Sequence, residues 1–292
     1  MQKSVCALVC AVAAALAAPA LQAAPEAVSG ATVKVNIQGG AMPENVDAVT
    51  SASVVPEKLR QKIVPNGFTR DGKAKRVLFV VGDPRHESVE WDLVNTAAKH
   101  FMGKGLEVEI RDLYKIGFNP VLPLESFFHA KDGFGPAPKD VAVEQLIVSA
   151  ADYIVFCYPN WHDSPNAITK GYMERVFSKQ FAYRDSEKGL EGLLKDKGIF
   201  VIMNAGWVGM GRGSVGDGIP QKAGEKSNPI WDSYMTAYKT VWDDTAGFWG
   251  VKNLGQFVND RTPGNLDADY AEKLQKLRDD LKASLDLNFG LK

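Results

Sequence analysis

Three short segments carry the side chains best suited to chemistry. Gly82-Asp83-Pro84-Arg85-His86-Glu87-Ser88 joins two basic side chains to a hydroxyl able to cap a helix. In such a turn Arg85 and His86 neutralise a phosphate. Ser88 and the amides that follow hydrogen-bond it at the positive end of the helix. Pro159-Asn160-Trp161-His162 offers an aromatic plane and a titratable imidazole. Asn204-Ala205-Gly206-Trp207 is small enough for backbone amides to approach a ligand's polar edge. Each has a plainer reading: Arg85 and His86 as ordinary loop charges, Trp161 as a core aromatic, His162 and Asp163 as a solvated pair in place of a proton relay. His100 and His129 lack metal-ligand spacing and no Cys/His cluster exists, so no metal is assigned.

The elements that must position these segments alternate from Lys75 onward. Apolar runs predict strands over Arg76–Val81, Leu106–Arg111, Tyr153–Tyr158, Gly198–Asn204 and Leu254–Val258. Helices are expected from Ser88 to Met102, Val141 to Ala151, Ala167 to Lys179, Ile230 to Thr245 and Asp267 to Leu285, with a Phe- and Pro-rich loop from Gly117 to Pro138. At Pro159 the third strand is expected to break into a polar loop. Strands separated by helices imply an α/β fold: a doubly wound, five-stranded parallel sheet with helices on both faces. Its carboxyl edge, where open sheets bind flat cofactors, would gather the three segments into a flavin site.

The chain has 292 residues, 45% hydrophobic and 24% charged, with a formal net charge of -1. That balance gives no electrostatic case for nucleic acid or an anionic membrane as partner. Residues 1–23 read as a signal peptide: Lys3, an apolar run from Val5 to Leu16, and a small-residue cleavage site at Ala20-Leu21-Gln22-Ala23. Residues 24–74 read as an extended segment and 75–292 as the folded domain, so the expected location is the periplasm. Cys6 and Cys10 leave with the signal, and Cys157, ending an apolar strand, reads as a buried core residue that cannot form an internal disulfide.

At these positions the chain resembles the NAD(P)H:quinone oxidoreductase branch of the flavodoxin-like proteins. That branch carries Gly-His-Pro-Arg-x-x-Ser after its first strand, where this chain has Gly82 to Ser88. Its Phe-Pro-Leu-Trp-Trp loop and the helix after it are similar to Tyr158–His162 and Asn166–Phe177. The family's Phe-Ala-Tyr and Gly-Leu-Leu-x-x-Lys recur as Phe181-Ala182-Tyr183 and Gly192 to Lys197. The resemblance implies a non-covalent FMN or FAD, two-electron chemistry at N5, a small quinone-like acceptor and a homodimer. Asp83 stands in place of the usual His, Glu90 in place of a small or amide residue, and Met203-Asn204-Ala205-Gly206 in place of Thr-Thr-Gly-Gly. These departures favour FMN over FAD. Export leaves the electron donor open between NAD(P)H and a membrane or periplasmic carrier.

Glu26–Thr32 and Asp47–Ser53 look like the acceptor motif of exported flavoproteins, in which a flavin transferase joins FMN through its phosphate to the last hydroxyl. The acceptors implied here are Ser53 and Thr32. A flexible linker from Ser53 to Lys75 reaches about 25 Å, far enough to touch the site. Two other functions stay open: a flavodoxin-type electron carrier without its own substrate, and a flavin-free binding protein using the same pocket.

Overall fold

The computed structural model describes residues 74–206, 239, 242–260 and 262–292. The signal peptide, the extended segment with Thr32 and Ser53, Trp207 and most of the helix expected over Ile230–Thr245 lie outside the described residues. Residues 242–249 of that helix are helical.

Five strands form one parallel sheet: β1 (Arg76–Val81), β2 (Glu107–Asp112), β3 (Tyr153–Trp161), β7 (Gly198–Ala205) and β8 (Lys252–Asp260), in the order β2-β1-β3-β7-β8. Their registers, such as Val81 opposite Cys157 and Pro159 opposite Asn204, place the ends of β1, β3 and β7 side by side on the carboxyl edge. β1 is buried at every residue, as a strand covered on both faces requires. Alternate side chains serve two cores. Val77, Phe79, Val81, Val155 and Phe200 pack against α1 (Val89–Gly103) and the C-terminal helix Tyr270–Phe289. Leu78, Val80, Phe156 and Val201 pack against helices Lys139–Ala150 and Ala167–Val176 and against the helical residues 242–249. Cys157 is fully buried in the first core, as its sequence context predicts.

The strand expectations hold within three residues, and the differences have local causes. β3 does not break at Pro159. It runs on to Trp161 and turns back as a two-residue hairpin with β4 (Ser164–Pro165). β1 stops pairing at Cys157, so beyond it β3 has lost one neighbour and tolerates a residue without an N–H. His162 and Asp163 both have positive φ, 54° and 55°, the geometry of the tight turn whose twist suits a hairpin. The stretch expected as a loop over Gly117–Pro138 contains the helical turn Leu124–Phe127 and a wider turn at Phe128–Asp132. A second hairpin, β5 (Tyr183–Ser186) with β6 (Gly189–Gly192), was not anticipated, because its strands alternate no apolar residues. β8 takes an extra residue against β7 between Ile199 and Val201, accommodated by Gly255 at φ +115°.

Beneath the helix Lys139–Ala150 lies a charged layer. Arg111 grips Glu144 through Nε at 3.1 Å and Nη2 at 2.5 Å, Tyr172 donates to the same carboxylate at 3.1 Å, and Arg76 pairs with Glu109. All five side chains are buried. The two cations match the two anions, and losing one strands its partner in a low dielectric. Arg111→Met should therefore destabilise the protein by about 3–5 kcal/mol, with Arg111→Met/Glu144→Leu recovering a large part of the loss. Urea unfolding measures both. Equal stability for the single variant and the wild type would refute a structural role for this layer.

Candidate functional site

The site expected from sequence lies where β1, β3 and β7 end, and the topology brings its three turns to the same edge. The N–H of Gly82 donates to the carbonyl of Cys157 at 2.9 Å, tying the end of β1 to β3. Gly82 must stay glycine: a Cβ would come within 2.0 Å of Oγ1 of Thr169. Asn166, just before the helix Ala167–Val176, donates from its amide to the carbonyl of Gly82, and its Oδ1 accepts from Thr169 at 2.7 Å. These contacts hold the start of the first turn rigidly against the neighbouring helix.

Within that turn the geometry departs from the sequence expectation. Asp83 is fully buried, and its carboxylate gathers the donors expected to hold a phosphate. Oδ1 accepts from the N–H of Arg85 at 2.9 Å and from its Nε at 3.1 Å. Oδ2 accepts from Nη2 of Arg85 at 3.1 Å and from the Ser88 hydroxyl at 2.8 Å. The pairing with Asp83 holds the Arg85 guanidinium above its usual pKa, against the opposing effect of burial. Ser88 caps α1 as predicted, accepting from the N–H of Trp91 at 3.2 Å, and the Trp91 indole donates to the carbonyl of Asp83 at 2.8 Å. His86 faces the other way. Its Nε2 lies 2.5 Å from Asp112 at the end of β2, on the side of β1 away from β3 and β7, and its ring packs edge-on against Trp91.

Pro159 is buried, Asn160 half-buried, and Trp161 is 43% exposed at the end of β3. His162 stands exposed on the tight turn, and the amide of Asn160 reaches Asp163 at 3.3 Å. On β7, Oδ1 of Asn204 accepts from Asn259 of β8 at 2.6 Å, Ala205 is buried and Gly206 is exposed. Trp161, His162, Asn204, Ala205 and Gly206 thus share one edge with Asp83, Arg85 and Ser88, and His86 sits apart beside β2.

Glu90 is the group that sequence reasoning undervalued. It occupies the first turn of α1, fully buried, and neither carboxylate oxygen has a hydrogen-bond partner. Burial, and then the neighbouring Asp83 charge, push its pKa well above the ordinary 4.5. The nearby N–H of Asn204 pulls the other way without completing a bond. The available signal was an acid placed two residues after a helix cap that another acid already served. Tyr114, just beyond β2, also feels Asp83: burial first and that charge second raise its hydroxyl pKa.

The two ends of the site differ in their fit to FMN. A half-exposed Trp161 and the small residues at the tip of β7 suit a flat conjugated ring. The head of α1 does not suit a phosphate dianion, because Ser88 and Arg85 already serve the buried carboxylate of Asp83.

Glu90 also sets a pH dependence. Its neutral form is accommodated when folded, so its full contribution to stability is present below about pH 4.5, and stability falls as pH rises and the folded protein resists ionisation. Glu90→Gln should match the wild type near pH 4 and become progressively more stable above it, by up to about 1.4 kcal/mol per pH unit. Thermal melts across pH 4–9 read the difference. A gap that does not change with pH would rule out a buried, titrating Glu90.

No helix among the described residues is long and apolar enough to cross a membrane, and among them no cluster of His, Cys, Asp and Glu is able to hold a metal ion. The chain is 41% identical over 93 residues to an uncharacterized NAD(P)H oxidoreductase of Haemophilus influenzae, covering 32% of this chain and 45% of that protein. It is 28% identical over 152 residues to NAD(P)H dehydrogenase [quinone] 1 of Rattus norvegicus, covering 46% and 55%. The chain spans about half the length of the curated relatives it matches. Among solved structures, an FMN-dependent NADH-azoreductase of Bacillus anthracis in complex with FMN superposes with a TM-score of 0.51 at 16% identity, over 73% of this chain and 99% of that one. Residues 75–283 match the family described as having a flavodoxin-like fold, and the chain belongs to that family.

Proposed function

We propose that this protein is an exported flavin oxidoreductase of the NAD(P)H dehydrogenase (quinone) type, which holds FMN at the carboxyl edge and reduces a quinone-like or other small acceptor. The observation that carries the reading is the adjacency of β1, β3 and β7, whose ends set Trp161, Gly206 and the Asp83–Ser88 turn on one edge. The names of the matched relatives, oxidoreductases in each case, and the FMN in the azoreductase structure support it. FMN, once bound, supplies two-electron chemistry at its N5.

The chain's own residues bind, orient and move protons. Trp161 is carried by a hairpin only two residues long at its turn, so its indole keeps a defined place from which to pack on a ring. Asn160, Asn204, Ala205 and Gly206 line the polar edge. Exposed His162, next to Asp163, supplies a proton to the acceptor. Residues 1–23 direct export, and a flavin transferase moves the FMN group of a dinucleotide flavin onto the hydroxyl of Ser53 or Thr32, breaking the pyrophosphate so that the nucleoside monophosphate leaves as the phosphodiester forms. The protein works as a homodimer with a redox partner as donor.

Flavin titration followed by fluorescence tests the site: Trp161→Ala should weaken binding by about tenfold. NADH- or NADPH-dependent quinone reduction by the flavin-bound protein tests the activity, and bound flavin without any turnover would favour an electron carrier. Intact mass after co-production with a flavin transferase tests the attachment. The expected result is one FMN added, lost in Ser53→Ala or Thr32→Ala, and an unchanged wild-type mass would remove the tether while leaving the edge site standing.

A further inference from the structure

At the head of α1 the protein has supplied its own anion. The Asp83 carboxylate receives the Ser88 hydroxyl, both arms of the Arg85 guanidinium and the Arg85 N–H, four donors at 2.8–3.1 Å. These are the side-chain donors, with one amide of the turn, that the segment would otherwise offer a phosphate. We propose that Asp83 is the specificity residue of the edge site: it stands in for a terminal phosphate, so the site takes a flavin by its ring and ribityl chain and gains nothing from a phosphate dianion. The inference rests on the flavin reading above and adds which flavins the site can tell apart.

Two independent features oppose release of those donors to a ligand. Asp83 is fully buried, so turning Arg85 outward to a phosphate would leave a buried carboxylate without its cation, a strongly unfavourable exchange. Glu90 beside it is also fully buried and driven toward its neutral form, so it offers no countercharge, and a dianion entering here would meet a buried carboxylate and a guanidinium already engaged. The second basic side chain of the turn does not relieve this, because His86 is held at Asp112 beside β2. Arg85 is thus a positioning residue for the turn and makes no contact with the ligand.

The test uses the full chain, produced without a flavin transferase and freed of flavin, titrated with riboflavin and with FMN by fluorescence quenching. The two affinities of the wild type should agree within about fivefold, roughly 1 kcal/mol. Asp83→Asn, similar in shape but uncharged, should tighten FMN by about tenfold or more while moving riboflavin by less than about fivefold. Arg85→Lys, which keeps a cation beside Asp83 but loses the two-pronged guanidinium, covers the case in which Asp83→Asn fails to fold, and it should leave the ratio of the two affinities unchanged. Wild-type binding of FMN much tighter than riboflavin, or selective loss of FMN in Arg85→Lys, would overturn the proposal while upholding the flavin reading. Failure of the wild type to bind either flavin would bring down both.

Discussion

The carboxylate of Asp83 is the contact around which the site is arranged. It is the acceptor for the backbone and side chain of Arg85 and for the hydroxyl that caps α1, and its own carbonyl receives the Trp91 indole. The short turn from β1 into α1 therefore closes on a single buried residue. Charge-assisted hydrogen bonds of this kind are the stronger ones, and burial strengthens them further provided every partner stays in place. The direction of α1 follows, and with it the position of Trp91 and the core beneath it.

The parallel sheet does the rest of the positioning. β1, β3 and β7 carry apolar side chains to both faces, and two cores hold them in register. Three neighbouring strands in fixed register end at fixed heights, and the hydrogen bond from Asn166 to the Gly82 carbonyl ties the first turn to the helix that follows β4. The buried ion pairs of Arg76, Glu109, Arg111 and Glu144 lie on the same face of the sheet as Leu78 and Val80. They add little net stability over an apolar layer, but a shifted register would leave a charge unpaired, which disfavours slippage of β2 against β1.

Much of this was legible in the sequence, for physical reasons that differ from element to element. β1 from Val77 to Val81 and β7 from Ile199 to Met203 are continuous apolar runs because both faces are covered, and that pattern predicts a parallel sheet directly. The Ser88 cap was readable from its residue type and its place before an amphipathic run. The β3–β4 hairpin was not, because His162 and Asp163 do not spell a turn in the way Asn-Gly does, and Pro159 argued for a break. Asp83 was visible as a residue out of place. Its capture of Arg85 follows from the spacing, since an Asp accepts readily from the backbone two residues on. What no spacing reveals is burial: the isolation of Glu90 depends on how α1 settles over the ends of β3 and β7.

The electrostatic consequence is an edge quieter than its residue count implies. Asp83 is matched by Arg85, and burial drives Glu90 toward its neutral form. Charges neutralised in place attract little from solvent, and they do not steer an anionic ligand from a distance. Under the flavin reading proposed above, an edge of that kind would select by shape and hydrogen bonding, through the plane of Trp161 and the residues Asn204 to Gly206. Under that proposal a ring-binding surface is the mode this arrangement suits, whereas a phosphate clamp would require Arg85 to abandon the buried carboxylate that holds the turn together.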